Sequence, residues 1–136
     1  MKVRELMSDH VETLEPEDDL DLASMLMRLD RLHHLPVVEE GDLIGIISDR
    51  DVLRAQESSL RGLSSEESRR FDMRVKARDI MTVEVDTVTP DTSVDEALEK
   101  LRKRPYSCLP VLEDGQIVGI VTPTDFLDLL AKILPR

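Results

Sequence analysis

Aromatic residues are scarce. Phe71, Phe126 and Tyr106 are the whole set, and tryptophan is absent. Single-stranded nucleic acid is gripped largely by stacking on aromatic rings, so the material for such a groove is missing. Cysteine occurs once, at Cys108. That excludes an intrachain disulfide and fits a reducing compartment. Basic residues are outnumbered 18 to 29, which leaves a formal charge of −11. A field of that sign opposes non-specific attachment to DNA, RNA or anionic lipid. No apolar run approaches the roughly 20 residues of a membrane span. The opening Met1-Lys2-Val3-Arg4-Glu5-Leu6 puts charge where a signal peptide needs an apolar stretch. These absences predict a cytoplasmic protein with no nucleic-acid and no membrane partner.

What the chain does contain is an internal repeat. Shifted by 74 positions, Val3–Leu53 falls on Ala77–Leu127 without a gap, and 17 of the 51 pairs are identical. Leu35-Pro36-Val37 matches Leu109-Pro110-Val111, Gly45 matches Gly119, and Asp51 matches Asp125. Each copy is small for independent stability, so two copies packed together with pseudo-twofold symmetry are expected. The expected domains are residues 1–60, a partly helical connector over 61–75, and residues 76–136.

Both copies carry the same local signals. A short β segment (Val11–Leu14, Val85–Val88) precedes Pro16 or Pro90. A helix follows, with Asp19 as N-cap in the first copy and a Ser93/Glu96 capping box in the second. Leu20, Ala23, Leu26, Met27 and Leu29 supply one apolar face. Val94, Ala97, Leu98 and Leu101 supply the other. Two strands then flank Glu40-Gly41 or Asp114-Gly115, which are hairpin-turn pairs. A second helix starts near Asp49 or Pro123. The fold class is therefore α/β, with strand, helix, strand, strand, helix in each copy. The connector is polar and includes Ser58, Ser59, Ser64, Ser65 and Ser68. Ser64 and Glu67 form a further capping box there, on a helix that either lies across the module or docks a partner.

The segments Gly45 to Asp51 and Gly119 to Asp125 are the informative ones. Each runs from a strand into a helix. A glycine in a strand admits close approach of another group. A hydroxyl and a carboxylate three residues apart, Ser48 with Asp51 and Thr122 with Asp125, then stand at the helix N-terminus. Free N–H groups and the helix dipole favour anions there, and a carboxylate can clasp ribose hydroxyls. The same spacing also makes a helix cap, so both readings stay open.

With these residues in view, the chain resembles a tandem pair of CBS domains, the cystathionine β-synthase motif, often called a Bateman module. Val11-Glu12-Thr13-Leu14-Glu15-Pro16, Leu35-Pro36-Val37-Val38 and Gly45 to Asp51 carry the resemblance, and the second copy repeats them. It covers almost the whole chain. It implies a regulatory module that binds AMP, ADP, ATP or S-adenosylmethionine. Asp51 and Asp125 would hold ribose, Ser48 and Thr122 would lie near ribose or phosphate, and Thr13 and Thr87 would line the base. His33, His34 and Arg50 would face phosphate in the first copy, where the second has Ser107, Cys108 and Thr124. Each has a plainer reading, the histidines as an exposed strand entry and Arg102, Lys103 and Arg104 as a solvated helix end.

No enzyme is expected, because no nucleophile converges with a base. Cys108 lacks a histidine partner in its own copy. No metal is expected either, since adjacent His33 and His34 point to opposite faces of a strand. No cofactor is required beyond the nucleotide ligand. A ligand-free dimerisation module is the alternative. The second helices, Asp51–Ala55 and Asp125–Leu134, suit a homodimer contact, and Phe126, Leu127, Leu129, Leu130, Ile133 and Leu134 of the latter are more apolar than one stripe needs. An effector protein would act in trans.

Overall fold

The computed structural model describes residues 1–57, 62–103 and 108–135. Local sequence accounts for most of its elements. Asp19 accepts a hydrogen bond from Leu22 N at 2.8 Å and starts α1, Leu20–Asp30. Leu20, Ala23 and Met27 are buried and Leu26 partly so. Leu29 departs from the expected apolar face and is exposed. At ~100° per residue it stands about opposite Leu20 on the helix. Arg31 ends α1 in the left-handed region, with φ 54°.

β1 (His34–Glu39) and β2 (Asp42–Ser48) form an antiparallel hairpin. Its turn places Glu40 and Gly41 at φ 51° and 86°, the pairing that a tight two-residue turn demands. β3 (Leu109–Glu113) and β4 (Gln116–Val121) repeat this, with Asp114 and Gly115 at 52° and 81°. The expected β segments before Pro16 and Pro90 shrink to single bridging residues. Leu14 pairs parallel with Val37, and Val88 with Val111. The prolines two residues on carry no N–H with which to extend the ladder.

Helix α2 spans Asp49–Glu57, α3 Ser65–Arg74, α4 Ala77–Ile80, α5 Val94–Lys103 and α6 Pro123–Ile133. α5 starts at Ser93, whose hydroxyl accepts from Glu96 N at 3.1 Å. α3 lies in the connector and begins at the Ser64/Glu67 box. Ser58 and Ser59 of that stretch lie outside the described residues. On α3, Asp72 is 9% exposed. Its Oδ2 accepts from Gln56 Nε2 at 3.3 Å, and that amide nitrogen is also 3.3 Å from Ser24 Oγ. No described helix is long and apolar enough to cross a membrane.

The chain forms two compact units, Glu12–Glu84 and Met1–Val11 with Val85–Arg136. Each unit thus joins the body of one repeat to the leading segment of the other. In the contiguous unit, Ala77 of α4 is buried with Leu14, Leu20, Leu35 and Ile47. In the split unit, Val3, on a single 3-10 turn (Val3–Glu5), is fully buried with Ala97, Leu109, Val111 and Val121. The leading segments also add to the hairpins. Thr82 exchanges both backbone hydrogen bonds with Ile46, at 3.0 and 2.9 Å, and Ser8 does so with Ile120, both at 2.9 Å. Matching ion pairs sit outside these contacts, Arg4 with Asp91 at 2.5 Å and Arg78 with Glu17. Both are solvent-exposed and contribute little.

Candidate functional site

In the contiguous unit, β2 delivers Ser48 to the start of α2. Ser48 N donates to Asp51 Oδ2 at 2.9 Å, and Asp51 N donates to Ser48 Oγ at 3.2 Å. The box permitted by the spacing is therefore formed. It uses one carboxylate oxygen and leaves Oδ1 without a hydrogen bond among the described residues. His34 faces Ser48 across the hairpin. Burial pushes its imidazole below the ordinary value, while the Asp49 and Asp51 carboxylates oppose that shift.

The two histidines part ways. His33 Nδ1 lies 2.9 Å from Asp49 Oδ2 with the ring exposed, and its carbonyl accepts from Asp49 N at 2.9 Å. Arg50, in the first turn of α2, is exposed and has no ion-pair partner among the described residues. Thr13 is exposed beside buried Leu14.

In the split unit, β4 delivers Thr122 to α6, with Pro123 in the first turn. Thr122 N donates to Asp125 Oδ2 at 2.8 Å, and the hydroxyl donates to the same oxygen at 3.4 Å. Burial raises the Asp125 carboxyl above its usual range, against the bonds from Thr122. Cys108 stands where the first copy has His34. Burial, with the Asp125 charge adding, pushes its thiol up to about 12. Thr87 is half-buried, and its carbonyl accepts from Lys100 Nζ at 3.3 Å. The same ammonium is 3.1 Å from Asp86. Arg102 pairs with Glu99 at 2.7 Å, while Arg104 and Ser107 lie outside the described residues.

The structure thus brings Ser48, Asp51 and His34 together with Arg50 alongside, and Thr122, Asp125 and Cys108 likewise. No side-chain hydrogen bond among the described residues joins Thr13 or Thr87 to these groups. Two features escape the sequence reading. One is the Lys100–Asp86 pair. The other is what approaches the strand glycines. A Cβ at Gly45 would lie 2.7 Å from Met81 Sδ and 3.0 Å from the Thr82 carbonyl. At Gly119 it would lie 2.7 Å from Met7 Sδ and 2.9 Å from the Ser8 carbonyl. The glycines therefore seat the leading segments. Met7 and Met81 occupy matched repeat positions, which was the available signal. Among the described residues no three His, Cys, Asp or Glu side chains group as a metal site would require.

The family model for the CBS domain matches residues 3–58 and 77–132. A CBS domain-containing protein of Dictyostelium discoideum is 35% identical over 134 residues, covering 97% of this chain and 92% of its own. Among solved structures, the CBS domain pair of protein MJ0100, in complex with 5-methylthioadenosine and S-adenosyl-L-methionine, is similar at TM-score 0.81 and 28% identity. That match covers 97% of each chain. CBSX2, solved in complex with AMP, shares the fold at TM-score 0.82 and 23% identity, covering 98% of this chain and 99% of its own.

Proposed function

The chain belongs to the CBS-domain family and carries two copies of the motif, and on that premise we propose that it is a regulatory module binding an adenosine-type ligand and passing the bound state to another protein. The duplicated strand-to-helix junction carries this reading. In each unit a hydroxyl residue and a carboxylate stand at a helix start. A carboxylate there can bridge the two hydroxyls of a ribose, and the helix start favours negative groups beyond it. The MJ0100 pair, with its two adenosine derivatives, supports the ligand class. In this proposal Asp51 and Asp125 hold ribose, Ser48 and Thr122 flank it, and Thr13 and Thr87 line the base. No catalytic step is assigned to the chain.

We further propose a homodimer through α2 and α6. Leu127, Leu130 and Ile133 recur along α6 at three-residue spacing and are exposed, as is Leu53 at the matching position of α2. Such a stripe suits burial against a second copy. The effector is then a separate protein acting in trans, in the cytoplasm, with neither nucleic acid nor membrane as partner.

One observation favours a ligand-free dimerisation module instead, since both carboxylates already cap their helices. Thermal denaturation with AMP, ADP, ATP, methylthioadenosine and S-adenosylmethionine separates the two. A ligand at a hundredfold excess over its Kd stabilises the folded state by about 2.7 kcal/mol. For a chain of this length that raises the melting point by several degrees, at roughly 3–5 °C per kcal/mol. A melting point unmoved by every one of these at millimolar concentration overturns the ligand-binding reading.

A further inference from the structure

The connector helix α3 is docked through a polar residue. Its one buried side chain is a carboxylate, that of Asp72. Phe71 is half-buried and Met73 exposed, while Val75, which caps the C-terminal end, packs against the core. Gln56 Nε2 of α2 donates to Asp72 Oδ2 and lies equally far from Ser24 Oγ of α1, 3.3 Å in each case. Asp72 Oδ1 is buried with no hydrogen-bond partner among the described residues. The charges that bear on it from α1 are both negative, Asp21 and Asp19. α2 offers the neutral Gln56, with Arg54 and Glu57 exposed. On the connector, Arg69 Nε is turned to Asp21 at 3.8 Å and Lys76 Nζ to the Met73 carbonyl at 3.3 Å. Burial raises the Asp72 carboxyl above its ordinary value, the bond from Gln56 opposes this, and Asp21 and Asp19 add to it.

We propose that α3 is a strap latched by a proton: it lies on α1, clasped to α2 through Gln56, while Asp72 is neutral, and it lifts away when Asp72 ionises. An ionised carboxylate costs far more to bury than a neutral acid, and most where one oxygen has no donor. Two carboxylates nearby, poorly screened at a buried site, add to that cost. Lifting α3 returns the charge to water and gives up little apolar burial. The pivot is Val75. Its carbonyl accepts from Leu20 N at 2.9 Å and its side chain packs on the core, so that end of α3 stays fixed. The Ser64/Glu67 box and the Glu66–Arg70 ion pair lie within the helix and its cap, and they do not depend on docking. Opening uncovers Ser24 and Gln56 and costs less than unfolding the whole unit.

The test is hydrogen exchange of the full chain, read for the amides of α3 and α1 from pH 4 to 8 and divided by the intrinsic rate at each pH. The closed strap holds the Asp72 proton more tightly than the open one. Opening of α3 should therefore grow by up to about tenfold per pH unit above the ordinary value of 3.8 and level off once pH passes the raised value. The α1 amides report opening of the whole unit and should stay better protected at every pH. Asp72→Asn keeps the shape and removes the charge. It should make α3 protection nearly independent of pH and raise it about fivefold or more at pH 7. Asp21→Asn leaves Asp72 in place and removes one of the charges bearing on it. It should bring the levelling-off to lower pH and raise α3 protection at pH 7. Equal protection of α3 and α1 throughout, a flat α3 profile in the wild type, or a slope that survives Asp72→Asn overturns the latch.

Discussion

Replacing Gly119 by alanine is the sharpest probe of how the split unit is held together. The added methyl would sit 2.7 Å from Met7 Sδ, 3.1 Å from Met7 Cγ and 2.9 Å from the Ser8 carbonyl. Two of these atoms belong to a flexible side chain that can swing away. The third is backbone, pinned by the paired hydrogen bonds between Ser8 and Ile120. Relief therefore requires the leading segment to shift, and overpacking of this kind costs about 1–3 kcal/mol. At roughly 3–5 °C per kcal/mol, the melting point of Gly119→Ala should fall about 3–15 °C below wild type. Met7→Ala alone should also destabilise, by loss of packing. Combined with Gly119→Ala it should destabilise less than the two changes summed, because the sulfur clash is gone and the carbonyl clash persists. A Gly119→Ala protein within about 0.5 kcal/mol of wild type, or strict additivity in the pair, refutes the close seating of Met7. Gly45→Ala should behave in the same way against Met81 and Thr82, where the carbonyl stands at 3.0 Å.

Three further outcomes are expected. Burial holds His34 below its usual 6.5, so the unfolded chain takes its proton first. Stability should be level above that pH and fall as pH drops through 6.5 toward the folded value, and His34→Gln should flatten the slope in urea titrations run from pH 8 to 5. Asp72 Oδ1 is buried with no hydrogen-bond partner among the described residues, and burial raises its carboxyl. The wild type should therefore lose stability as pH rises through that raised value, and Asp72→Asn should gain about 1 kcal/mol over it at pH 7; equal or lower stability at that pH contradicts the cost assigned to the buried charge. Leu130→Glu on α6 should shift the sedimentation profile from dimer to monomer without lowering the melting temperature of the monomer, since that side chain is exposed in the single chain.

The elements that were legible in the sequence are those fixed by local chemistry. Asp19, Ser64 and Ser93 cap the helices they precede, and Glu40-Gly41 and Asp114-Gly115 make the turns. Ser48 with Asp51 was legible as a pair because the spacing is that of one helical turn. What escaped is what depends on residues far apart. The 3-10 turn at Val3–Glu5 and the short α4 have little local signal, and burial in the other repeat's core holds them. Gly45 and Gly119 announced a close approach without naming the approaching group. The separate fates of His33 and His34 follow from Asp49, which sits sixteen residues from His33 and bonds it through both ring and carbonyl. Alternation along a strand predicted that they diverge and could not say which carboxylate each would meet.

The exchange of leading segments sets an order of events on the ribosome. Residues 12–84 are contiguous and contain every part of their unit, so that unit can close once those residues have left the exit tunnel. Residues 1–11 emerge first and have nothing to close upon until residues 85–136 follow. Val3 and Met7, destined for a core, stay in solvent through the synthesis of the intervening chain. Their loop must then be closed across a span about as long as the finished first unit. That costs little in equilibrium stability, because closure entropy grows slowly with length, but it makes docking of residues 1–11 a late step. During that interval the free segment is open to capture by the second repeat of a neighbouring nascent chain on the same message.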